Sequence, residues 1–183
     1  MARLFGANRL REAARKLSTE DLRTKMEIVK RWHKDYHYGS LLRDKETSRE
    51  QQFNQHFFIQ ILGYEEKPEK TYSFEPKASA LGGQLPDAIL GYDLGGKRRI
   101  VAVVELKGAS ADLDRPQRRE SNLSPVQQAF KYKPLYRNCP FVIVSNFFEF
   151  RLYGDNQLDF ESWTLDGKHS APIVGMLDHR SAG

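Results

Sequence analysis

Cysteine is nearly missing: the 183 residues hold one, Cys139. A single thiol forms no internal disulfide and cannot supply a cysteine zinc cluster. A reducing, cytoplasmic setting is the expectation that follows. Long apolar runs are missing too. The densest is Ile100 to Val104, ended at once by Glu105, far short of the roughly 18 residues of a membrane span. The basic opening, MARLFGANRLREAARKL, leads into no apolar stretch, so no secretory signal is read there. Neither G-x-x-x-x-G-K-[ST] nor G-x-G-x-x-G occurs, so no phosphate-cradling nucleotide loop is visible. Internal repeats and low-complexity stretches are likewise lacking.

What is present is the balance of a globular chain, 39% apolar and 29% charged. A chain of this length buries roughly 70% of its unfolded surface and needs no covalent staple. The net charge of +5 is unevenly spread. Residues 1–45 carry twelve Lys/Arg against six Asp/Glu, and the remainder is close to neutral. A basic arm beside a neutral domain suits a polyanion such as nucleic acid, although a solvated helix with surplus cations reads the same way.

Periodicity predicts the elements. Residues 8–36 read as helix in two pieces, with Ser18 capping the second and an apolar stripe of Leu22, Met26, Val29 and Trp32. On the opposite face, Lys25, Lys30, Arg31 and Lys34 form a surface suited to phosphates. A helix over 46–62 carries Phe53, Phe57, Phe58, Ile61 and Leu62, with Gly63 as its C-cap. Strands are predicted over 71–77, 86–92 and 99–106, the third nearly all apolar, as a buried central strand should be. A helix then starts at Pro125 and runs to Tyr136. Strands over 141–145, 148–153 and 158–165 follow. The expected fold is α/β: a mixed central sheet flanked by helices, behind an N-terminal helical arm. The division expected is a basic arm over 1–45, a main domain over 46–168 and a tail or linker over 169–183.

Chemistry-bearing residues stand at the ends of two of these strands. Asp87 follows Pro86, and Glu105 and Lys107 flank Leu106. Residues two apart on a strand share a face, and neighbouring strands lie about 4.8 Å apart, so pairing would put Asp87 beside Glu105. Two carboxylates that close are best tolerated with a cation between them, and Mg²⁺ prefers such oxygen ligands. An Asp at a turn and a Glu–Lys surface pair is the bland alternative. The burial of the preceding strand weighs against it.

Pro86-Asp87 followed by Glu105-Leu106-Lys107, on elements in the order αβββαβ, resembles the PD-(D/E)xK nuclease superfamily, with its restriction-endonuclease-like core. The stretches GGQLPDAILGYDLGGKRRIVAVVELKGASADLDRPQ, SPVQQAFKYK and CPFVIVSNFFEFRLY are similar to the N-terminal nuclease domain of type IIG restriction enzymes, over roughly residues 36–155. That resemblance implies Mg²⁺-dependent (or Mn²⁺-dependent) hydrolysis of DNA phosphodiesters. Asp87, Glu105 and the Leu106 carbonyl would hold the metal, and Lys107 would position the water. It adds a glutamate on the preceding helix, Glu46 ahead of Glu50, and a Gln128…Tyr132 pair on the following one. Cations suited to the DNA backbone are Lys30, Arg31, Lys34, Arg118, Arg119 and Lys131, with Lys133 beside them; a solvated face reads equally well. Asp112 and Asp114 offer metal ligands, although a charged loop is the commoner case. His33 and His37 lack a third ligand.

Type IIG chains also carry a methyltransferase, with an adenosylmethionine-binding glycine motif and an Asn-Pro-Pro-aromatic motif. Neither is found here. The resemblance therefore makes this chain an N-terminal piece of a longer enzyme, partnered by methylation and target-recognition domains, or a stand-alone nuclease of that lineage. Cutting both strands needs two active sites, so transient dimers on DNA are expected. The rival readings are a catalytically silent nuclease-fold module for DNA binding or partner assembly, and, less favoured, an RNA-binding protein.

Overall fold

A computed structural model describes residues 4–66, 73–77, 85–94, 96–118 and 122–166. Four helices lead the chain: α1 (Ala7–Arg15), α2 (Thr19–His37), α3 (Ser40–Arg43) and α4 (Glu46–Phe53). Ser18 caps α2, its Oγ accepting from the Asp21 amide at 3.1 Å. The short α3 was not foreseen; Gly39, at φ 70°, turns the chain into it.

The predicted single helix over 46–62 is two structures. Past Phe53, residues Asn54–Ile61 widen into a π-helix, in which the Leu62 amide donates to the Phe57 carbonyl five residues back at 2.9 Å. The wider turn is uncommon and needs tertiary support. Here it comes from Phe53, Phe57 and Phe58, whose rings pack against Trp32, Phe74 and Phe150. Gly63, at φ 77°, closes the segment as predicted.

Six strands follow in the order in which they lie in one sheet: β1 (Phe74–Pro76), β2 (Ala88–Leu94), β3 (Lys97–Leu106), β4 (Phe141–Ser145), β5 (Glu149–Tyr153) and β6 (Phe160–Thr164). All neighbours pair antiparallel except β3 and β4, which run parallel. A parallel pair needs a crossover, and α5 (Pro125–Tyr132) supplies it. The predicted helix to Tyr136 stops at Tyr132 and tightens into a 3₁₀ turn, Lys133–Leu135, because Pro134 removes an amide donor. Ser124 and Gln127 form a reciprocal capping box at the start of α5. β1 is shorter than predicted; its residues 71–72 lie outside the described ones. Between β2 and β3 the register shifts at Leu90/Gly91, and a Cβ on Gly91 would stand 2.7 Å from the Arg99 carbonyl oxygen, so only glycine fits.

The alternation of β2 and β3 sorts side chains onto two faces. Ala88, Leu90, Ala102, Val104 and Leu106 join a core with Ile28, Val29, Trp32, Phe53 and Phe58. Ile89 and Val103 join Val126, Ala129 and Tyr132 on the other side. The basic N-terminal segment thus shares a core with the sheet through α2. Among the described residues no helix is long and apolar enough to cross a membrane.

Candidate active site

The register places the acids. Ala88 lies opposite Val104, so one step outward Asp87 lies beside Glu105. Asp87 Oδ2 accepts from the Leu106 amide at 2.7 Å, which binds the start of β2 to the end of β3. Period-two alternation gives Glu105 and Lys107 the face of Val103, under α5. Beyond β3 the chain stays paired, the Lys107 amide donating to Ser145 O at 2.9 Å.

Glu105 is 1% exposed and Lys107 is 8% exposed, and Lys107 Nζ meets Glu105 Oε1 at 2.5 Å. Charges so deeply buried persist only when paired. Burial pulls the lysine pKa down, but the Glu105 carboxylate, then Asp87 and Glu46, outweigh it and hold it above its ordinary value. Lys107 is therefore an ammonium throughout the neutral range.

Two further acids come from α4. Glu46 Oε2 accepts from the Gly108 amide at 2.6 Å, one residue past the lysine. Glu50 is buried and lies 3.6 Å from Lys77 Nζ. Burial raises the Glu50 pKa, and the neighbouring Asp87 adds to the effect. Glu46 secures the chain after Lys107, and Glu50 stands close enough to Asp87 to feel its charge.

From the other side, α5 brings Gln128, whose Nε2 donates to Tyr132 Oη at 3.1 Å. The Tyr132 pKa is raised chiefly by burial and, to a smaller degree, by the charges of Glu105 and Asp87. After Lys107 the loop is clamped: Asn146 Nδ2 donates to Ala111 O at 2.8 Å, and Arg151 forks onto Asp114 at 2.8 and 2.9 Å. Asp114 thus has a structural partner, and Asp112 accepts from the Asp114 amide at 2.9 Å within that loop.

The predicted backbone-binding cations do not gather at the strand ends. Lys30 pairs with Glu27 at 3.0 Å on exposed α2 surface, and Lys34 lies over the Tyr38 ring. Arg31 lies 3.2 Å from His56 Nε2. Trp32 Nε1 donates to His56 Nδ1 at 2.9 Å, and burial, with Arg31 beside it, lowers the His56 pKa. Arg118 and Lys131 are exposed, and Arg119 lies outside the described residues. His33 and His37 contact each other edge to face. Lys77 also stands at the candidate site, beside Glu50; its only signal in the sequence is its place at the end of a predicted strand.

The donor chemistry fits a hard divalent cation. Four carboxylates (Glu46, Glu50, Asp87 and Glu105) stand against two ammoniums (Lys77 and Lys107), leaving an excess of negative charge on oxygen donors. Among the described residues no three His, Cys, Asp or Glu side chains form a ready ligand set. A cation here would draw on Asp87, Glu105 and main-chain oxygen, completed by water, as Mg²⁺ commonly does. Compared with known protein families, curated proteins and solved structures, the chain finds no match.

Proposed function

We propose that the chain is a metal-dependent DNA endonuclease domain, the cleavage module of a type IIG-like restriction–modification enzyme. The observation that carries this reading is the convergence of Asp87, Glu105 and Lys107 at the ends of β2 and β3, with the α4 glutamates beside them. Asp87, Glu105 and the Leu106 carbonyl would hold Mg²⁺ or Mn²⁺. When bound, such a cation polarises the scissile phosphate and offsets charge on the leaving oxygen. Lys107 contributes as a donor, because an ammonium with a raised pKa cannot accept a proton at neutral pH. It orients a water through its N–H groups and faces the charge that develops on the phosphoryl oxygens. Glu46 holds the backbone behind Lys107, which fixes where the ammonium stands. Gln128 and Tyr132 brace the buried side of the cluster. The exposed cations Lys30, Arg31, Lys34, Arg118 and Lys131 suit non-specific contact with the duplex backbone, where salt dependence and not base identity sets affinity. Methylation and target recognition would belong to other parts of a longer chain.

The test is cleavage of supercoiled plasmid with Mg²⁺ or Mn²⁺. Asp87→Ala and Lys107→Ala are each expected to lower the rate by at least about 100-fold, the scale for removing one group that stabilises transition-state charge. Cleavage that survives in both variants would overturn the assignment. DNA binding with no cleavage by any form would favour the silent module.

A further inference from the structure

A polar groove runs alongside α4 and the π-helix, and its reading here rests on the nuclease assignment. Its volume is about 680 Å³, and its lining includes Thr47, Ser48, Gln51, Asn54, Gln55 and Lys77. Glu50 lines it as well, and Glu50 feels Asp87 and Glu46, so the groove opens beside the carboxylate cluster. Amides and hydroxyls of this kind offer both donors and acceptors, which suits base edges and sugars better than apolar ligands.

Two observations point to an occupant. Asn54 is 7% exposed, and its Oδ1 is buried without a hydrogen-bond partner. A buried acceptor normally has a donor, and Asn54 is among the residues that line the groove. Lys77 is held in an unusual way. Its φ of 49° lies in the left-handed region that few non-glycine residues adopt. Its amide donates to Asp87 O at 2.7 Å, so the strand that carries the acid also sets the lysine. The ammonium stands 3.6 Å from Glu50, on a side chain 63% exposed.

We propose that this groove seats the DNA strand next to the scissile phosphate. Lys77 leaves Glu50 for a backbone phosphate, while Gln51, Asn54 and Gln55 hydrogen-bond the adjoining nucleotide. The exchange puts one phosphate where one carboxylate was, so Lys77 keeps a counter-charge in both states.

Binding of a short fluorescent DNA duplex, followed by anisotropy over a salt series with Ca²⁺ present, tests this. The variants are Lys77→Gln, Lys77→Arg and the double Gln51→Ala/Gln55→Ala, all at exposed positions. Lys77→Gln is expected to weaken binding several-fold and to lower the slope of log Kd against log salt by about 0.9, the value of one phosphate contact. Lys77→Arg restores the slope, and the double glutamine variant weakens binding without changing it. Wild-type affinity and slope in every variant would overturn the groove while leaving plasmid cleavage to stand or fall separately. A wild-type chain that does not bind the duplex also overturns it. The expected slopes without Mg²⁺-dependent cleavage would keep the groove and remove the nuclease.

Discussion

The two faces of the sheet are built from different material. Under α2 and α4 the core is aromatic, with the Phe53 ring 4.5 to 6.0 Å from those of Trp32, Phe57, Phe58, Phe147 and Phe150. Under α5 it is largely aliphatic, Ile89, Val103, Val142 and Val144 against Val126 and Ala129, and it ends in the buried Glu105–Lys107 pair. The first face gains its stability from area and ring geometry, which tolerate no gap. The second carries charge, and charge in an interior is kept for geometry more readily than for stability. The candidate site sits where the aliphatic face runs out, at the strand ends.

Breaking each face once is the strongest test of that contrast. Phe53→Ala is expected to cost about 3–5 kcal/mol in a urea titration, because a buried ring leaves a cavity its neighbours cannot fill. Glu105→Ala is expected to cost a similar 3–5 kcal/mol, for a different reason: the buried Lys107 ammonium loses its direct partner. The double variant Glu105→Leu/Lys107→Met separates the two. Removing both charges should return most of the loss, or exceed the wild type, while cleavage stays abolished. A double variant as unstable as Glu105→Ala would show that the pair itself holds this face.

Smaller effects sharpen the picture. Ser124→Ala removes one half of the capping box at α5 and should cost about 1 kcal/mol. Glu50→Gln should act with the opposite sign. Burial and Asp87 raise the folded pKa of Glu50, so the folded state holds its proton more tightly than the unfolded chain. That contribution is complete below the ordinary carboxylate range and is lost as pH rises through the raised value. In metal-free buffer, Glu50→Gln should therefore raise Tm at pH 7–8, with the gain fading toward pH 4. A gain that is flat with pH would mean that Glu50 carries no such strain.

Much of this was legible along the chain. The Ser18 cap, the Gly63 C-cap, the Pro125 start and strand β4 depend on neighbours in sequence, and they stand as read. Glu105 and Lys107 stand out because charge closing an apolar strand conflicts with local pattern, and Asp87 because Pro86-Asp87 precedes them by one strand-turn-strand length. The π-helix was illegible, since residues 54–61 have ordinary helical periodicity and widen only against the aromatic rings around them. Lys77 was illegible for the same kind of reason: nothing in its neighbours shows that its amide meets Asp87 O.

The sequence by itself determined most of the elements, their order and the two-residue spacing that puts Glu105 and Lys107 on one face, because these follow from backbone periods and local caps. Only the tertiary structure decided that α4 and β1 bring Glu46, Glu50 and Lys77 to the same strand ends. Those contacts join residues far apart in the chain, and their distances are set by how helices pack on the sheet, which no local pattern records.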